Sequence, residues 1–371
     1  MNRRYINILI FFFGIFYGLS VAKFHVFPYY FFVRLKNINQ PKLFYPYSKE
    51  QIQNFERTFS SNLKVLPSNI DSMRFLLRSV VFGSKLLPKA LPNEIVTIVD
   101  DNYSGMENLN KLEKVKIELD SGFISIGYIF HPKNKNNRLM LYYQGHDGDF
   151  LFGKSTILYF LDLGYTIYTF SLPLLGKNNR PVVVTKKYGT INFSSNHDFF
   201  KFLSNPLKYF VAPVHIMINY AKTKHFDNIS MSGISGGGWA TTISAALDER
   251  INYSFPVAGS YPNLIRFLKP ENNYGDYEQT IPDLVENFDY LDLYILGSAG
   301  VNRAQTQILN LYDPCCFNGF EYQLYDHFLN IELKKYTSGN FKVFIDSLNK
   351  NHSISSNSLN RISKEIDFLS K

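Results

Sequence analysis

The stretch Ile229-Ser-Met-Ser-Gly-Ile-Ser-Gly-Gly-Gly-Trp239 decides how this chain is read. It contains Gly233-Ile234-Ser235-Gly236-Gly237, a G-x-S-x-G spacing, between a strand ending near Met231 and a helix beginning near Gly238. A serine hydroxyl becomes a useful nucleophile when it protrudes from a tight strand-to-helix turn within reach of a base. Such a turn strains the serine backbone, and it brings neighbours so close that the residues two before and two after must lack side chains. Backbone N–H groups at the start of the helix then face any oxyanion that develops. A glycine-rich turn that only packs a helix on a strand shares this spacing, so partners elsewhere in the chain must decide. The turn 233–237 itself lacks the Gly-Lys-Ser/Thr of a phosphate-binding loop.

Outward from this stretch, strands and helices alternate. Residues 115–119 and 123–130 alternate in polarity around Asp120-Ser121-Gly122, the pattern of a hairpin. Strands are expected at 139–143, 165–170, 229–232, 253–257, 307–311 and 341–345. Helices are expected at 154–163, 206–222, 239–247, 321–336 and 358–369, with 260–305 irregular. The pattern predicts an α/β domain over 113–371, a mostly parallel sheet with helices on both faces, opened by an antiparallel hairpin. Residues 37–112 read as a mixed N-terminal extension, with helices at 51–59 and 70–82 and no assignable chemistry.

With the elbow in this context, the sequence resembles the α/β-hydrolase superfamily over about residues 113–371. The resemblance implies an α/β-hydrolase fold and a serine hydrolase, esterase-like, that cleaves an acyl ester through an acyl-enzyme. It also implies an order of nucleophile, acid and histidine, with an oxyanion loop upstream. Ser235 is the nucleophile on this reading. Strand 139–143 runs into Gln144-Gly145-His146-Asp147-Gly148, so the backbone donors implied are those of His146 and Gly236; the family usually has His-Gly where this chain has Gln144-Gly145. The base implied is His352, in the loop after strand 341–345. His327 falls within an expected helix, where a packing or surface role fits better. The acid implied is Asp313, just after strand 307–311, with Asp346, Asp289 and Asp292 as substitutes. The stretch 260–305 carries Tyr261, Phe267, Tyr274, Tyr277, Phe288 and Tyr290, and reads as a cap or lid or as an aromatic satellite core.

Composition narrows the classes. Of 371 residues, 16% are aromatic and 19% charged, which excludes a disordered chain. The two cysteines, Cys315 and Cys316, are adjacent; they read as small core residues and not as a zinc or redox pair. The net charge of +8 lies within residues 1–100, which hold 13 Lys and Arg against 5 Asp and Glu. A nucleic-acid enzyme would carry its excess on the body that holds the site. Here it lies beside residues 5–22, a run without charge that Arg3 and Arg4 precede. Residues 1–36 therefore read as a membrane anchor, or as a signal segment cut before Lys23, with the body expected on the extracytoplasmic side. No metal or organic cofactor is implied. An acyltransferase or peptidase with the same triad, and an inactive membrane-tethered binding protein, remain alternatives; the expected partner is a small-molecule, lipid or glycan acyl ester.

Overall fold

Strands buried on both faces need helices above and below them, and this chain supplies both. The computed structural model describes residues 46–336 and 338–370, together with Gly14, Tyr17 and Gly18. In chain order the elements are α1 (Lys49–Asn62), α2 (Ile70–Phe82), β1 (Glu94–Ile98), β2 (Leu109–Glu118), β3 (Ile124–Pro132), β4 (Arg138–Tyr143), α3 (Lys154–Asp162) and β5 (Thr166–Phe170). Next come a small hairpin, β6 (Val182–Thr185) and β7 (Gly189–Asn192), then α4 (Lys208–Ala221), β8 (Asn228–Ile234), α5 (Gly236–Leu247) and β9 (Tyr253–Val257). The chain closes with α6 (Tyr290–Ser298), β10 (Ala304–Asn310), α7 (Asp326–Leu333), β11 (Asn340–Asp346) and α8 (Ser356–Leu369).

Nine strands form one sheet in the order β1-β2-β3-β5-β4-β8-β9-β10-β11. The β1–β2, β2–β3 and β3–β5 pairs are antiparallel, and every pair from β5–β4 to β10–β11 is parallel. Every residue of β5, β8, β9 and β10 is buried. Side chains alternate between faces along a strand, and β4 shows the consequence. Leu139, Leu141 and Tyr143 join one hydrophobic cluster with Met231, Trp239 and Leu296, while Met140 and Tyr142 join a second with Phe160, Phe255 and Ile362. The sheet is thus the wall between two cores.

The expected hairpin forms around a short turn at Asp120–Gly122, in which Ser121 takes a positive φ of 59°. Three expectations change. The boundary at 112–113 falls inside β2, and residues 46–112 belong to the same compact unit as the rest of the sheet, because β1 extends it. The second half of 260–305 is not irregular: α6 is a helix with every residue buried, and its packing surrounds it so completely that no amphipathic period exists to betray it. Finally, Cys315 and Cys316 are not core residues; they are bonded to each other on the surface loop after β10. The anchor expected within residues 1–36 lies outside the described residues, apart from Gly14, Tyr17 and Gly18. Among the described residues, no helix is long and apolar enough to cross a membrane.

What ties the extension to the body is a pair of cations at helix C-termini, where carbonyls lack intrahelical donors. Buried Arg74 of α2 donates from one Nη1 to the Ala246 carbonyl of α5 at 2.7 Å and the Leu296 carbonyl of α6 at 3.0 Å. Arg78 donates to the Leu247 carbonyl at 3.0 Å. Arg74→Leu should therefore lower the unfolding free energy by about 1–3 kcal/mol, since a buried carbonyl loses a charged donor. Urea unfolding followed by circular dichroism measures this, and an unchanged midpoint would mean that the extension is not held this way.

Candidate active site

The elbow begins where β8 stops. Ser235 has φ 57° and ψ −124°, and it stands between the last residue of β8 and the first of α5. For a residue with a side chain this conformation costs on the order of 1–3 kcal/mol and persists only where its surroundings fix it. They do so here: the Ser235 N–H donates to the Val257 carbonyl at 2.9 Å, and its own carbonyl accepts from the Trp239 N–H at 2.9 Å. The flanking glycines are steric necessities. A Cβ on Gly233 would lie 2.3 Å from the Gly237 oxygen, and one on Gly237 would lie 2.1 Å from the Tyr143 oxygen. The helix starts at Gly236, earlier than expected, because three consecutive glycines hide their helical conformation from any side-chain pattern.

The loop after β4 touches this turn. A Cβ on Gly145 would lie 2.8 Å from Ser235 Cβ, and the His146 ring packs on Gly236, its Cε1 2.5 Å from where a Cβ would sit there. The Gly236 N–H belongs to the first turn of α5, where no intrahelical acceptor exists. The sequence points only to the backbone of His146. Its side chain also has partners: Nε2 lies 2.9 Å from Oε1 of Glu278, and Nδ1 lies 3.3 Å from Oδ2 of Asp276. Burial favours the neutral ring, but Glu278 and Asp276 outweigh it and hold His146 up at about 9. Glu278 is fully buried; burial pushes its carboxyl up, yet His146 and His197 bring it well below the usual range. Neither His197 nor Glu278 is visible in the sequence, because both lie far along the chain from His146 and no motif links them.

Asp313 and His352 follow the C-terminal ends of β10 and β11, at the sheet edge where β8 delivers Ser235. His352 Nδ1 lies 3.0 Å and 2.9 Å from the two oxygens of fully buried Asp313. Asp313 is itself held by the N–H groups of Cys315 (2.8 Å) and Cys316 (3.2 Å) and by Nδ2 of Asn310 (3.1 Å). Asn310 also donates to the Asn351 and Ser353 carbonyls on either side of the histidine, and Asn349 donates to Asn310 Oδ1 and the Ser353 carbonyl. Two asparagines thus set the His352 loop; single amides in loops carry no sequence signal. His352 Nε2 is buried without a hydrogen-bond partner, so Asp313 and His352 are joined while His352 and Ser235 are not.

The other acids and histidine are occupied elsewhere. Asp346 accepts from Leu348 N, Asn349 N, Asn357 Nδ2, Ser355 Oγ and Ser358 Oγ, which fixes the loop and the start of α8. Burial raises its carboxyl, but those donors bring it below the ordinary range. Asp289 and Asp292 form the capping box of α6, and Asp292 also accepts from the Lys64 and Val65 N–H groups at 2.8 Å. His327 is exposed and pairs with Glu56 at 2.8 Å. Of the cap aromatics, Tyr261, Phe288 and Tyr290 are buried in the main core, while Phe267 and Tyr274 are exposed. Among the described residues, two groups bring potential ligand atoms together: Cys315, Cys316 and His352, whose sulfurs are bonded to each other and offer no thiolate, and His146, His197 and Glu278. A hollow lined by Lys222, His225, Glu249 and Arg250 lies at the opposite edge, by the start of β8.

The sequence matches no family model and no curated protein. Its structure is similar to solved esterases. The acetyl xylan esterase from Paenibacillus sp. R4 aligns over 87% of this chain and 99% of that one, with a TM-score of 0.58 at 12% identity. Acetyl xylan esterase 1 from Thermoanaerobacterium sp. JW/SL YS485 covers 88% and 99%, at 0.53 and 14%. Methylesterase BT1017 covers 87% of this chain and 69% of its own, at 0.55 and 14%. The chain has the α/β-hydrolase fold.

Because the Gly237 site abuts backbone and not a flexible side chain, Gly237→Ala should destabilise the protein by about 1–3 kcal/mol or more, the range for overpacking. Thermal unfolding tests it. A wild-type melting temperature would mean that the turn has room the geometry denies.

Proposed function

We propose that this protein is a serine hydrolase that cleaves a carboxylic ester through an acyl-enzyme, with Ser235 as nucleophile, His352 as base and Asp313 as the acid that orients it. The observation that carries this reading is the Asp313–His352 pair at the same sheet edge as a serine held at positive φ. With Nδ1 bound to Asp313, Nε2 is the atom left to take the Ser235 proton, and it has no competing partner. Attack on the ester carbonyl places charge on its oxygen, toward which the Gly236 and His146 backbone N–H groups would donate. Collapse releases the alcohol with the proton from His352, and water repeats the sequence to free the acid. The folds named above belong to enzymes described as acetyl xylan esterases and a methylesterase. Together with the crowding of the elbow by His146 and Leu172, they favour a short, uncharged acyl group on a glycan or lipid. The same reading includes tethering of the body to a membrane by residues 1–36, on its extracytoplasmic side; the basic excess and the uncharged run are its support.

Ser235→Ala should cut turnover of short acyl esters by roughly 10³–10⁶-fold and abolish fluorophosphonate labelling, with the fold intact. Asp313→Asn should cost up to ~10⁴-fold by removing the charge that stabilises the imidazolium. Asp346→Asn should instead act on stability, since it serves a loop and a helix start. Activity of Ser235→Ala within tenfold of wild type, or a reversal of the two aspartate effects, would sink the assignment.

Deleting residues 1–36 should release active protein from membranes, because the bonds of Tyr47 to Gln323 and Glu321 lie beyond the cut. Sedimentation in low and high salt reads this out, and a truncated chain that still pellets with membranes would refute the tether.

A further inference from the structure

We infer that His146, His197 and Glu278 form a binding site for a divalent transition metal, best suited to zinc, beside the nucleophile elbow. The three side chains come from segments far apart in sequence: the loop after β4, the helical turn His197–Phe202 and the turn Tyr277–Gln279. Their ligand atoms all lie within 4.8 Å of one another. Glu278 is central. Oε1 is 2.9 Å from His146 Nε2, and Oε2 is 3.4 Å from His197 Nδ1. Ligands 2.0–2.1 Å from a tetrahedral zinc stand about 3.3–3.5 Å apart, so little movement separates the observed cluster from a loaded site.

Three observations favour a cation over a self-sufficient cluster. Glu278 is fully buried, and neither of its oxygens receives a donor with hydrogen-bond geometry; a buried carboxylate needs pairing or a metal. His197 Nε2 lies 2.9 Å from the Pro173 carbonyl, which can only accept, so that nitrogen is the N–H. Nδ1 of His197 is then the nitrogen turned to a Glu278 oxygen, and a proton or a metal ion would sit between the two. His146 repeats the arrangement, with Asp276 behind Nδ1 and Glu278 before Nε2. A histidine supported on its outer nitrogen by a carboxylate or a carbonyl, with the inner one free, is how metal-binding imidazoles are held. Three protein ligands leave a fourth position open. A metal here would pin the turn 277–279 to the loop that carries the His146 N–H.

The test uses the full chain, stripped with a chelator and titrated with Zn²⁺ alone. Stoichiometry comes from elemental analysis, and affinity from competition with a zinc indicator. One equivalent should bind saturably. His197→Gln and Glu278→Gln should weaken zinc at least about 100-fold, since loss of an outer partner alone costs roughly 10–100-fold. Asp276→Asn, at a half-exposed carboxylate, should weaken it about tenfold and serves if the buried variants do not fold. Ser235→Ala should bind as wild type. Absence of saturable uptake would overturn the site, leaving an ion-pair cluster. Uptake that persists in all three variants would also overturn it, placing the metal elsewhere. The readout is zinc and not turnover, so either failure leaves the esterase reading untouched.

Discussion

The candidate site depends on how closely the turn between β8 and α5 approaches the end of β4. Gly233 and Gly237 lie where a single methyl group would collide with the Tyr143 and Gly237 carbonyls. That closeness leaves Ser235 no conformation other than positive φ, and it aims the start of α5 at the loop holding Gly145 and His146. The strain at one residue is balanced by the packing around it: α5 is buried along its whole length, and Trp239 Nε1 donates to the Tyr290 hydroxyl of α6. An elbow on a loosely packed helix would relax and withdraw the serine.

The parallel sheet does the rest of the gathering. In β8, β9, β10 and β11 the strands point the same way, so residues just past their ends share one edge. Asp313 and His352 meet there across 39 positions of sequence because β10 and β11 are hydrogen-bonded neighbours. The loops are then held by polar groups that serve no chemistry of their own. Asn310 and Asn349 bind the carbonyls around the histidine, and Asp346 fixes the loop and the α8 start. The same economy appears at the far edge of the helical layer, where Arg74, Arg78 and Arg303 satisfy the carbonyl ends of α5 and α6.

The turn carrying Glu278 is anchored twice, by the contacts of its carboxylate with His146 and His197 and by the Tyr290 hydroxyl donating to the Gln279 carbonyl. The aromatic stretch 260–305 is therefore divided in kind. Its first half contributes this turn and an exposed pair, Phe267 and Tyr274; its second half is a core helix of the fold itself.

By itself the sequence determined whatever depends on neighbours along the chain. The alternating pattern of the hairpin, the strand 253–257, the helix 70–82 and the G-x-S-x-G spacing are local, set by backbone sterics and by which face is buried, and they stand in the structure where they were expected. The tertiary structure decided what depends on distance across the chain. Nothing in an Asp-Pro turn distinguishes Asp313 from Asp346; only the pairing of β10 with β11 places one against His352 and turns the other toward α8. Similarly, α6 could not be read because a helix buried on all sides has no period, and β1 because a short edge strand gains its partner only when β2 is in place. The meeting of His146, His197 and Glu278 is the extreme case. Three residues without a motif become a cluster because burial removes water from around a carboxylate, and charge in a low-dielectric interior then governs what must surround it.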